Sequence, residues 1–218
     1  GKAMITVLAD DKRRIYGDAN PAFTATYSGW KNGQDLSSSD VAGTPLLATE
    51  ADELSDVGTY SINSSTGALS SDNYSFQFVN GTLTIGKSTI MVTADDKSRI
   101  YGDANPVFTA TYTGFKNGQD LAGSGISGQP SLTTDASATS TVGKYAIVSA
   151  SGTLAAQNYD FSYTDGTLTI GKAMITVSAD DKSRIYGDVN PALTASYIGF
   201  KNGQQLASSG ITGVPSLS

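Results

Sequence analysis

The chain has 218 residues and carries 14 Lys and Arg against 20 Asp and Glu, which gives a net charge of -6. It contains no His and no Cys, which excludes thiol nucleophiles, Ser-His and Cys-His dyads and nearly every zinc, copper or haem site. The acidic balance disfavours nucleic acid and anionic membranes, because phosphate binding needs clustered Lys and Arg. With 28 Ser, 25 Thr and 24 Gly, the composition indicates a β-rich protein and argues against an enzyme.

Alternating apolar and hydroxyl-bearing residues predict short β-strands in which one face is buried. Over the first 85 residues, in chain order, the pattern occurs at Ile5 to Ala9, Phe23 to Tyr27, Tyr60 to Ile62, Tyr74 to Val79 and Thr82 to Ile85. No apolar run approaches the roughly 18 residues that a membrane-spanning helix needs.

Two segments between these strands carry local signals. Asn80-Gly81 is the dipeptide that a two-residue type I′ turn prefers, because both central residues need positive φ. We therefore expect Tyr74 to Val79 and Thr82 to Ile85 to form an antiparallel hairpin. Asn32 to Leu36 is the only helix-like stretch, and the Ser residues that follow limit it to a turn or two.

The whole pattern repeats every 85 residues. The string Tyr-Gly-Asp-x-Asn-Pro begins at Tyr16, Tyr101 and Tyr186, and no insertion or deletion interrupts the register. A Gly-Lys pair precedes each copy. This punctuation predicts three domains: repeat 1 at residues 3–85, repeat 2 at 88–170, and a truncated repeat 3 at 173–218.

We expect a mostly β protein in which small modules, each of about six to eight short strands, are arranged end to end as a rod. Consecutive modules are too close for a flexible tether, so Gly86 and Gly171 are the expected hinges. Each module is either a β-grasp-like sheet around a short helix or an Ig-like sandwich. Repeat 3 lacks counterparts of residues 49–85, so Ile175, Leu193 and Phe200 are expected to stay uncovered.

Five motifs in fixed order carry a family resemblance: Ala-Asp-Asp-Lys-x-Arg-Ile-Tyr-Gly-Asp-x-Asn-Pro, Lys-Asn-Gly-Gln, Val-Gly-x-Tyr, Asn-Tyr-x-Phe and Gly-Thr-Leu-Thr-Ile-Gly-Lys. Together they resemble the MBG repeat, a YGX-type module of large bacterial surface proteins that is similar to mucin-binding β-grasp modules. The resemblance covers the whole chain. It implies a secreted or surface-anchored bacterial protein whose tandem arrays act as a stalk or adhesin, and it implies no catalytic residues.

Acidic residues recur near the start of each repeat, as Asp10, Asp11, Asp18 and Asn20 do in the first. Oxygen ligands of this kind suit Ca²⁺. However, neighbouring Lys and Arg side chains neutralise carboxylates, and Asp-x-Asn-Pro is a common turn signature. Solvated turns with local ion pairs are the preferred interpretation and Ca²⁺ is the alternative. No catalytic, cofactor-binding or metal-binding residue is assigned.

Of three other features, Trp30 and Lys31-Asn32 each have two interpretations and Tyr16 has one. Trp30, which is Phe in the later repeats, either stacks on a sugar ring or closes the rim of the core, and the rim is favoured. Tyr16 and its copies are expected to be half-buried, with the hydroxyl at the surface. Lys31-Asn32 is a candidate for an isopeptide cross-link if it is buried beside a carboxylate, and otherwise belongs to a surface loop.

The leading hypothesis is a structural or adhesive repeat region of an extracellular bacterial surface protein, acting as a semi-rigid stalk or fibre. The alternatives are a multivalent array that binds carbohydrate or mucin, and a filament subunit whose half-module at 173–218 is completed by a neighbouring chain. The expected partners are the neighbouring repeats, host or matrix glycans and other copies of the chain. Nucleic acid and direct membrane insertion are not expected.

Overall fold

A computed structural model describes all 218 residues. Repeat 1 contains seven strands, as does repeat 2, within the predicted range; repeat 3 contains two strands and one 3₁₀ turn. The protein is therefore mostly β, as predicted. The elements are β1 Ala3–Ala9, β2 Lys12–Ile15, β3 Ala25–Ser28, β4 Leu46–Ala48, β5 Gly58–Ser65, β6 Tyr74–Val79, β7 Gly81–Gly86, β8 Ser88–Ala94, β9 Lys97–Ile100, β10 Ala110–Thr113, β11 Ser131–Thr133, β12 Gly143–Ala150, β13 Tyr159–Thr164, β14 Gly166–Gly171, β15 Thr176–Ala179, β16 Ala195–Ile198 and the 3₁₀ turn Leu206–Ser208.

Repeat 1 folds into two small sheets. In the first, of order β3-β1-β6, β1 is antiparallel to β3 and parallel to β6, with Ala3 opposite Tyr74 and Val7 opposite Phe78. In the second, of order β2-β7-β5-β4, β7 lies between a parallel β2 and an antiparallel β5. No helix lies against either sheet. Of the two predicted architectures, the structure therefore has the two-sheet form and not the β-grasp form.

The strand order is repeated in the later copies. Repeat 2 has sheets of order β10-β8-β13 and β11-β12-β14-β9, and β14 again lies between a parallel β9 and an antiparallel β12. Repeat 3 has a single antiparallel pair, β15-β16. The structure contains no helix that is long and apolar enough to cross a membrane.

Alternating apolar positions on the strands form the core of each full repeat. In repeat 1, Ile5 and Val7 of β1 pack with Leu69 and Tyr74. In repeat 2, Ile147 of β12 packs with Leu168 and Ile170 of β14 and also with Ala94 and Ala136. Burying one such aliphatic side chain contributes about 1.5–3 kcal/mol relative to leaving it exposed. A few of them per sheet are enough to define the core of a unit of this size.

The chain divides into two compact units. The first contains residues 1–91, 112–129 and 152–162, so it combines all of repeat 1 with two segments of repeat 2. The second contains residues 92–111, 130–151 and 163–218, which include all of repeat 3. Each unit therefore brings together residues of two consecutive repeats.

The hairpin predicted at Asn80-Gly81 is wrong. β6 pairs with β1, whereas β7 pairs with β5 and β2, so the chain passes from one sheet to the other at Asn80. Gly is required at position 81 because a Cβ there would lie 2.3 Å from the Ala9 carbonyl oxygen. Asn80 also bonds to β5, because its Oδ1 accepts a 3.0 Å hydrogen bond from the Ser64 amide.

The type I′ turn lies instead in the segment predicted to be helix-like. Asn32 and Gly33 have φ values of 59° and 68°, and the Gln34 amide donates a 3.0 Å hydrogen bond to the Lys31 carbonyl oxygen. Both later repeats have the same turn. Asn and Gly tolerate the left-handed conformation better than other residues. The preference of Asn-Gly for a type I′ turn is therefore met at residues 32–33 and not at residues 80–81.

Repeat 3 leaves its apolar face only partly uncovered: of the three residues expected to stay uncovered, Leu193 is exposed, but Ile175 and Phe200 are partly buried. Val177 is 47 % exposed, although its counterparts Val7 and Val92 are fully buried. β15 has a strand on one side only, because the strand that flanks this position in repeat 1 is β6, which has no counterpart within residues 173–218.

We predict that Gly81→Ala destabilises repeat 1 by about 2–3 kcal/mol, because the new Cβ collides with a backbone oxygen that cannot move without opening the sheet. Urea unfolding followed by the fluorescence of Trp30, the one Trp in the chain, measures the change. Gly86→Ala is the control: the nearest atom to its Cβ is 3.9 Å away, so its effect should stay below about 1 kcal/mol. Equal effects of the two substitutions would contradict the prediction.

Candidate repeat-docking site

The Tyr-Gly-Asp-x-Asn-Pro string forms a loop at residues 16–21. We name this loop, and its copies in repeats 2 and 3, the acceptor loop. A buried arginine holds it. The Arg14 Nε donates a 2.7 Å hydrogen bond to Asn20 Oδ1, and its Nη2 donates to the Asp52 carbonyl oxygen. Asn20 Nδ2 donates at 2.7 Å to the Ala51 carbonyl oxygen. A buried guanidinium is stable where carbonyl and amide oxygens accept its protons.

Repeat 2 has the same clamp, in which Arg99 donates to Asn105 Oδ1 at 2.8 Å and to the Ser137 carbonyl oxygen. These arginines therefore hold the acceptor loop to the following segment of their own repeat. The sequence-based expectation that they neutralise the nearby carboxylates is wrong. In repeat 3, Arg184 is exposed and donates only to the Asp188 carbonyl oxygen.

The Lys-Asn-Gly-Gln turn, here named the donor turn, is held by a tyrosine hydroxyl. In repeat 2, the Tyr159 hydroxyl accepts a 3.0 Å hydrogen bond from the Lys116 amide and donates at 2.6 Å to Gln119 Oε1. In repeat 1, Tyr74 makes the same two bonds, at 3.2 and 2.6 Å. The backbone of the turn is thus fixed within its own repeat, and the side chains of its Lys and Asn are available for contacts elsewhere.

Within the first unit, the donor turn of repeat 2 contacts the acceptor loop of repeat 1. Lys116 Nζ lies 2.8 Å from Asp18 Oδ1. The aliphatic stem of Lys116 lies against Gly17, where a Cβ would be 2.4 Å from the Cβ of Lys116. Gly17 also has a φ of 82°, which side chains other than hydrogen disfavour. Two independent constraints therefore require Gly at the centre of the motif.

Two asparagines complete this contact. Asn117 Nδ2 donates a 3.2 Å hydrogen bond to the Glu53 carbonyl oxygen. Asn158 Nδ2 donates at 2.7 Å to Asp56 Oδ1, and its Oδ1 accepts at 3.0 Å from the Val57 amide. Because both ends of the Asn158 amide are bonded, the contact is directional as well as polar.

The second unit contains the same contact one repeat later. Lys201 Nζ lies 2.9 Å from Asp103 Oδ1, and a Cβ on Gly102 would be 2.3 Å from the Cβ of Lys201. Asn202 Nδ2 donates at 3.2 Å to the Ala138 carbonyl oxygen. In both units the Lys follows its Asp by 98 residues. The docking of donor turn on acceptor loop is therefore a property of the repeat.

The burial of the motif tyrosine differs between repeats. Tyr16 is only 3 % exposed, and its ring meets Tyr159 edge to face at 5.5 Å, so the expectation that it is half-buried is wrong. Tyr101 is partly buried, as expected, and packs against the core of repeat 2. Tyr186 is fully exposed. Of the three tyrosines, Tyr16 is the one whose ring is covered by an aromatic side chain of the next repeat.

The paired acidic residues that were weighed for Ca²⁺ have protein partners. Asp10 accepts hydrogen bonds from the hydroxyls of Thr24 and Thr26, and these bonds hold the pKa of Asp10 below its ordinary value. Asp11 accepts a 2.7 Å hydrogen bond from the Thr82 amide. No group of three or more acidic side chains converges in the structure. Asp10 and Asp11 are therefore held by hydroxyl and amide donors, and neither forms the local ion pair of the preferred interpretation.

The aromatic and cross-link candidates also have defined surroundings. Trp30 is partly buried, 5.6 Å from Tyr74 and 6.2 Å from Tyr27 by ring centroids, which agrees with the predicted position at the rim of the core. Lys31 and Asn32 are both exposed. An isopeptide bond needs a buried Lys, Asn and carboxylate in contact, and this pair does not provide them.

These features define a class: tandem two-sheet β-repeats with polar contacts between consecutive copies. A family model described as MBG domain (YGX type) matches residues 5–84, 90–169 and 175–216. The chain belongs to the MBG family, YGX type, and consists of tandem repeats of that domain, which is a non-catalytic binding or structural module. No curated protein and no solved structure is significantly similar to the chain.

Asp18 and Lys31 are candidate residues in the sequence, but the sequence does not reveal that the copy of Lys31 in the next repeat pairs with Asp18. The sequence favours a turn or a metal site for Asp18, and a cross-link or a loop for the Lys-Asn pair. The available signal was the invariant separation of 98 residues between Asp18 and Lys116 and between Asp103 and Lys201. In an uninterrupted repeat every pair of recurring positions keeps a fixed separation, so the spacing alone does not single out this pair as a contact.

We predict that Arg14→Ala destabilises repeat 1 by about 2–4 kcal/mol, because it leaves the Asn20 and Asp52 oxygens without their charged donor. Arg184→Ala, at the equivalent exposed position, should change stability by less than about 0.5 kcal/mol. Urea unfolding monitored by Trp30 fluorescence for Arg14→Ala, and by circular dichroism for both variants, makes the comparison. A large effect at Arg184 or none at Arg14 would refute the clamp.

We predict that Tyr159→Phe weakens the docking in the first unit about fivefold, because loss of one buried hydroxyl removes roughly 0.5–1.5 kcal/mol of support from the donor turn. The readout is hydrogen exchange of the Val57 amide, which is bonded to Asn158. Tyr74→Phe removes the same bonds from the donor turn of repeat 1, which docks on no acceptor loop in this chain. It should leave the exchange of Val57 unchanged, and a matching increase would count against the assignment.

Proposed function

We propose that this chain is a structural repeat region of an extracellular bacterial surface protein, in which docked consecutive repeats form a semi-rigid stalk. Membership of the MBG family supports a surface repeat module. The observation that carries the proposal is the recurrence of one contact set, Lys on Asp, Lys stem on Gly and Asn on a carbonyl oxygen, in both units.

The strength of the docking comes from its covalent linkage and geometry. An ion pair as exposed as Lys116 with Asp18, whose side chains are 31 % and 45 % accessible, contributes only about 0–1 kcal/mol. The connection between repeats is one residue, Lys87, between the end of β7 and the start of β8. A short link raises the effective concentration of the two faces to the millimolar range, so several weak contacts suffice to limit bending.

The hydroxyl-rich strand faces support the same function. Thr82 and Thr84 alternate with the buried residues of β7, and Thr167 and Thr169 do the same on β14. Because this face of β7 and β14 carries hydroxyl groups and no large apolar side chain, it lacks the contiguous apolar patch that promotes association. A low tendency to associate suits a module that occurs in several tandem copies. A location at the cell surface or in the medium belongs to the same proposal.

The two alternatives stay predictions. No feature of Trp30 favours sugar stacking over its packing with Tyr27 and Tyr74, so a carbohydrate-binding array has no structural support beyond the family. The uncovered face of repeat 3 is compatible with completion by another chain, as a filament subunit.

Charge reversal tests the stalk. We predict that Asp18→Lys and Lys116→Glu each raise the hydrogen-exchange rate of the Val57 amide about tenfold, because lost attraction and new repulsion together amount to roughly 1–1.5 kcal/mol. Each should also broaden the distribution of end-to-end distances seen by X-ray scattering. The double variant Asp18→Lys/Lys116→Glu restores an opposite-charge pair and should recover most of the protection.

The control is Asp181→Lys, which makes the same change of charge at an exposed position. It should leave both readouts as they are in the unmodified chain. Unchanged exchange and unchanged scattering in both single variants would mean that the contact does not restrain the repeats, and the stalk proposal would fail.

A further inference from the structure

The two ends of repeat 1 run side by side in the same direction. Residues 3–8 of β1 lie opposite residues 74–79 of β6, and residues 12–15 of β2 lie opposite residues 83–86 of β7. Both pairs are parallel, and in each the partner lies 71 residues later in the chain. The register is therefore the same in the two sheets.

The register is also kept where the chain passes between the sheets. β1 leads to β2 beside the point where β6 leads to β7. The Thr82 amide donates a 2.7 Å hydrogen bond to Asp11 Oδ1 at this crossing, and Gly81 lies against the Ala9 carbonyl oxygen. Residues 3–15 and 74–86 thus form one continuous parallel ribbon through both sheets, which we name the terminal ribbon.

Buried side chains protect the hydrogen bonds of the terminal ribbon from water. Ile5 and Val7 of the first segment, and Leu83 and Ile85 of the second, are all buried. A hydrogen bond in such surroundings cannot be exchanged for a bond to water until the strands separate. The ribbon therefore yields only when its two segments move apart or slide past each other.

Repeat 2 has the same arrangement. Residues 97–100 of β9 run parallel to residues 168–171 of β14. At the crossing, the Thr167 amide donates a 2.6 Å hydrogen bond to Asp96 Oδ1, again over 71 residues. Gly166 lies against the Ala94 carbonyl oxygen. The terminal ribbon is therefore a feature of each complete repeat.

We propose that the terminal ribbon is a force-bearing element, through which each repeat resists tension applied along the array. Tension enters repeat 1 at the start of β1 and leaves it at the end of β7, which continues into β8 through Lys87. In a parallel pair these two points lie at opposite ends of the ladder. Tension therefore shears the two segments and loads all their hydrogen bonds together. The inference rests on the proposed function only for the source of the tension.

The pairing of β5 with β7 provides a contrast in the same sheet. These strands are antiparallel, and Gly58 at the start of β5 lies opposite Ile85 near the end of β7. Force applied at these adjacent ends separates the hydrogen bonds one after another instead of together. The resistance of the repeat should therefore depend on the direction of pulling, and the chain's own connectivity sets the resistant direction.

Force spectroscopy on the full chain tests the proposal. Since the chain contains no Cys, handles attach only at introduced positions. Lys2→Cys/Lys87→Cys loads the terminal ribbon in shear, whereas Thr59→Cys/Lys87→Cys pulls β7 from β5 at adjacent ends, and all three positions are exposed. Forced unfolding reports the unfolding rate, so at equal force the first variant should unfold at least about tenfold more slowly than the second. The extension released, about 25 nm in the first variant and about 9 nm in the second, identifies each event.

A side-chain substitution tests the ribbon within the shear geometry. Asp11→Ala removes the bond across the crossing and should raise the unfolding rate at constant force about tenfold. Asp35→Ala is the matched control, since its carboxylate accepts the Ser37 and Ser38 amides at 3.0 and 2.9 Å outside the ribbon. It should leave the rate unchanged. Trp30 fluorescence establishes that both variants are folded before force is applied.

Equal unfolding rates in the two pulling geometries overturn the inference, as does an Asp11→Ala rate that matches that of Asp35→Ala. Either result leaves the proposed function intact, because both pulling geometries span repeat 1 alone and the exchange of the Val57 amide reports on the contact between repeats. Conversely, a loss of the docking contact would leave the difference between the two pulling geometries unchanged.

Discussion

The buried guanidinium of Arg14, with that of Arg99 one repeat later, is the constraint on which the rest of the molecule depends. It fixes the acceptor loop by bonding an Asn of that loop and a carbonyl oxygen of the segment that follows β4 or β11. A loop held only by turn propensity would present Gly17 and Asp18 in many orientations. Because the acceptors of the guanidinium are amide and carbonyl oxygens, the carboxylate of Asp18 stays available to bind Lys116.

In the docking contact, one set of groups fixes the conformation of each surface, and a different set forms the bonds between the two repeats. Arg14 and Asn20 preorganise the acceptor loop, and the Tyr159 hydroxyl preorganises the donor turn. Preorganisation matters because each contact between repeats is individually weak. A partly exposed ion pair contributes little by itself. Its net contribution to binding is larger when neither partner must be ordered on binding. This allows a short, acidic, hydroxyl-rich repeat to form a defined contact without a large apolar surface.

Asn80-Gly81 and Asn32-Gly33 illustrate how local sequence signals are resolved by the fold. Both dipeptides favour a type I′ turn, and only the second forms one. At the first, β6 and β7 belong to different sheets, and the Gly is kept because its hydrogen lies against the Ala9 carbonyl oxygen. Five of the seven strands of repeat 1 were predictable from alternation, but β2 and β4 were not, because they are only four and three residues long and show no alternation of apolar and hydroxyl-bearing residues. Strand partners were not predictable, because β1 pairs in parallel with a strand about 70 residues away.

The sequence by itself determined the β class, the 85-residue repeat, the alternating core positions and the family, because each depends on local periodicity or on a motif string. Only the tertiary structure decided that two sheets form without a helix, that Arg14 is a buried clamp, and that Asp18 meets Lys116. These depend on distances between residues far apart in the chain. Such distances are set by how the sheets pack and how one repeat follows another, and residue type and spacing do not specify them.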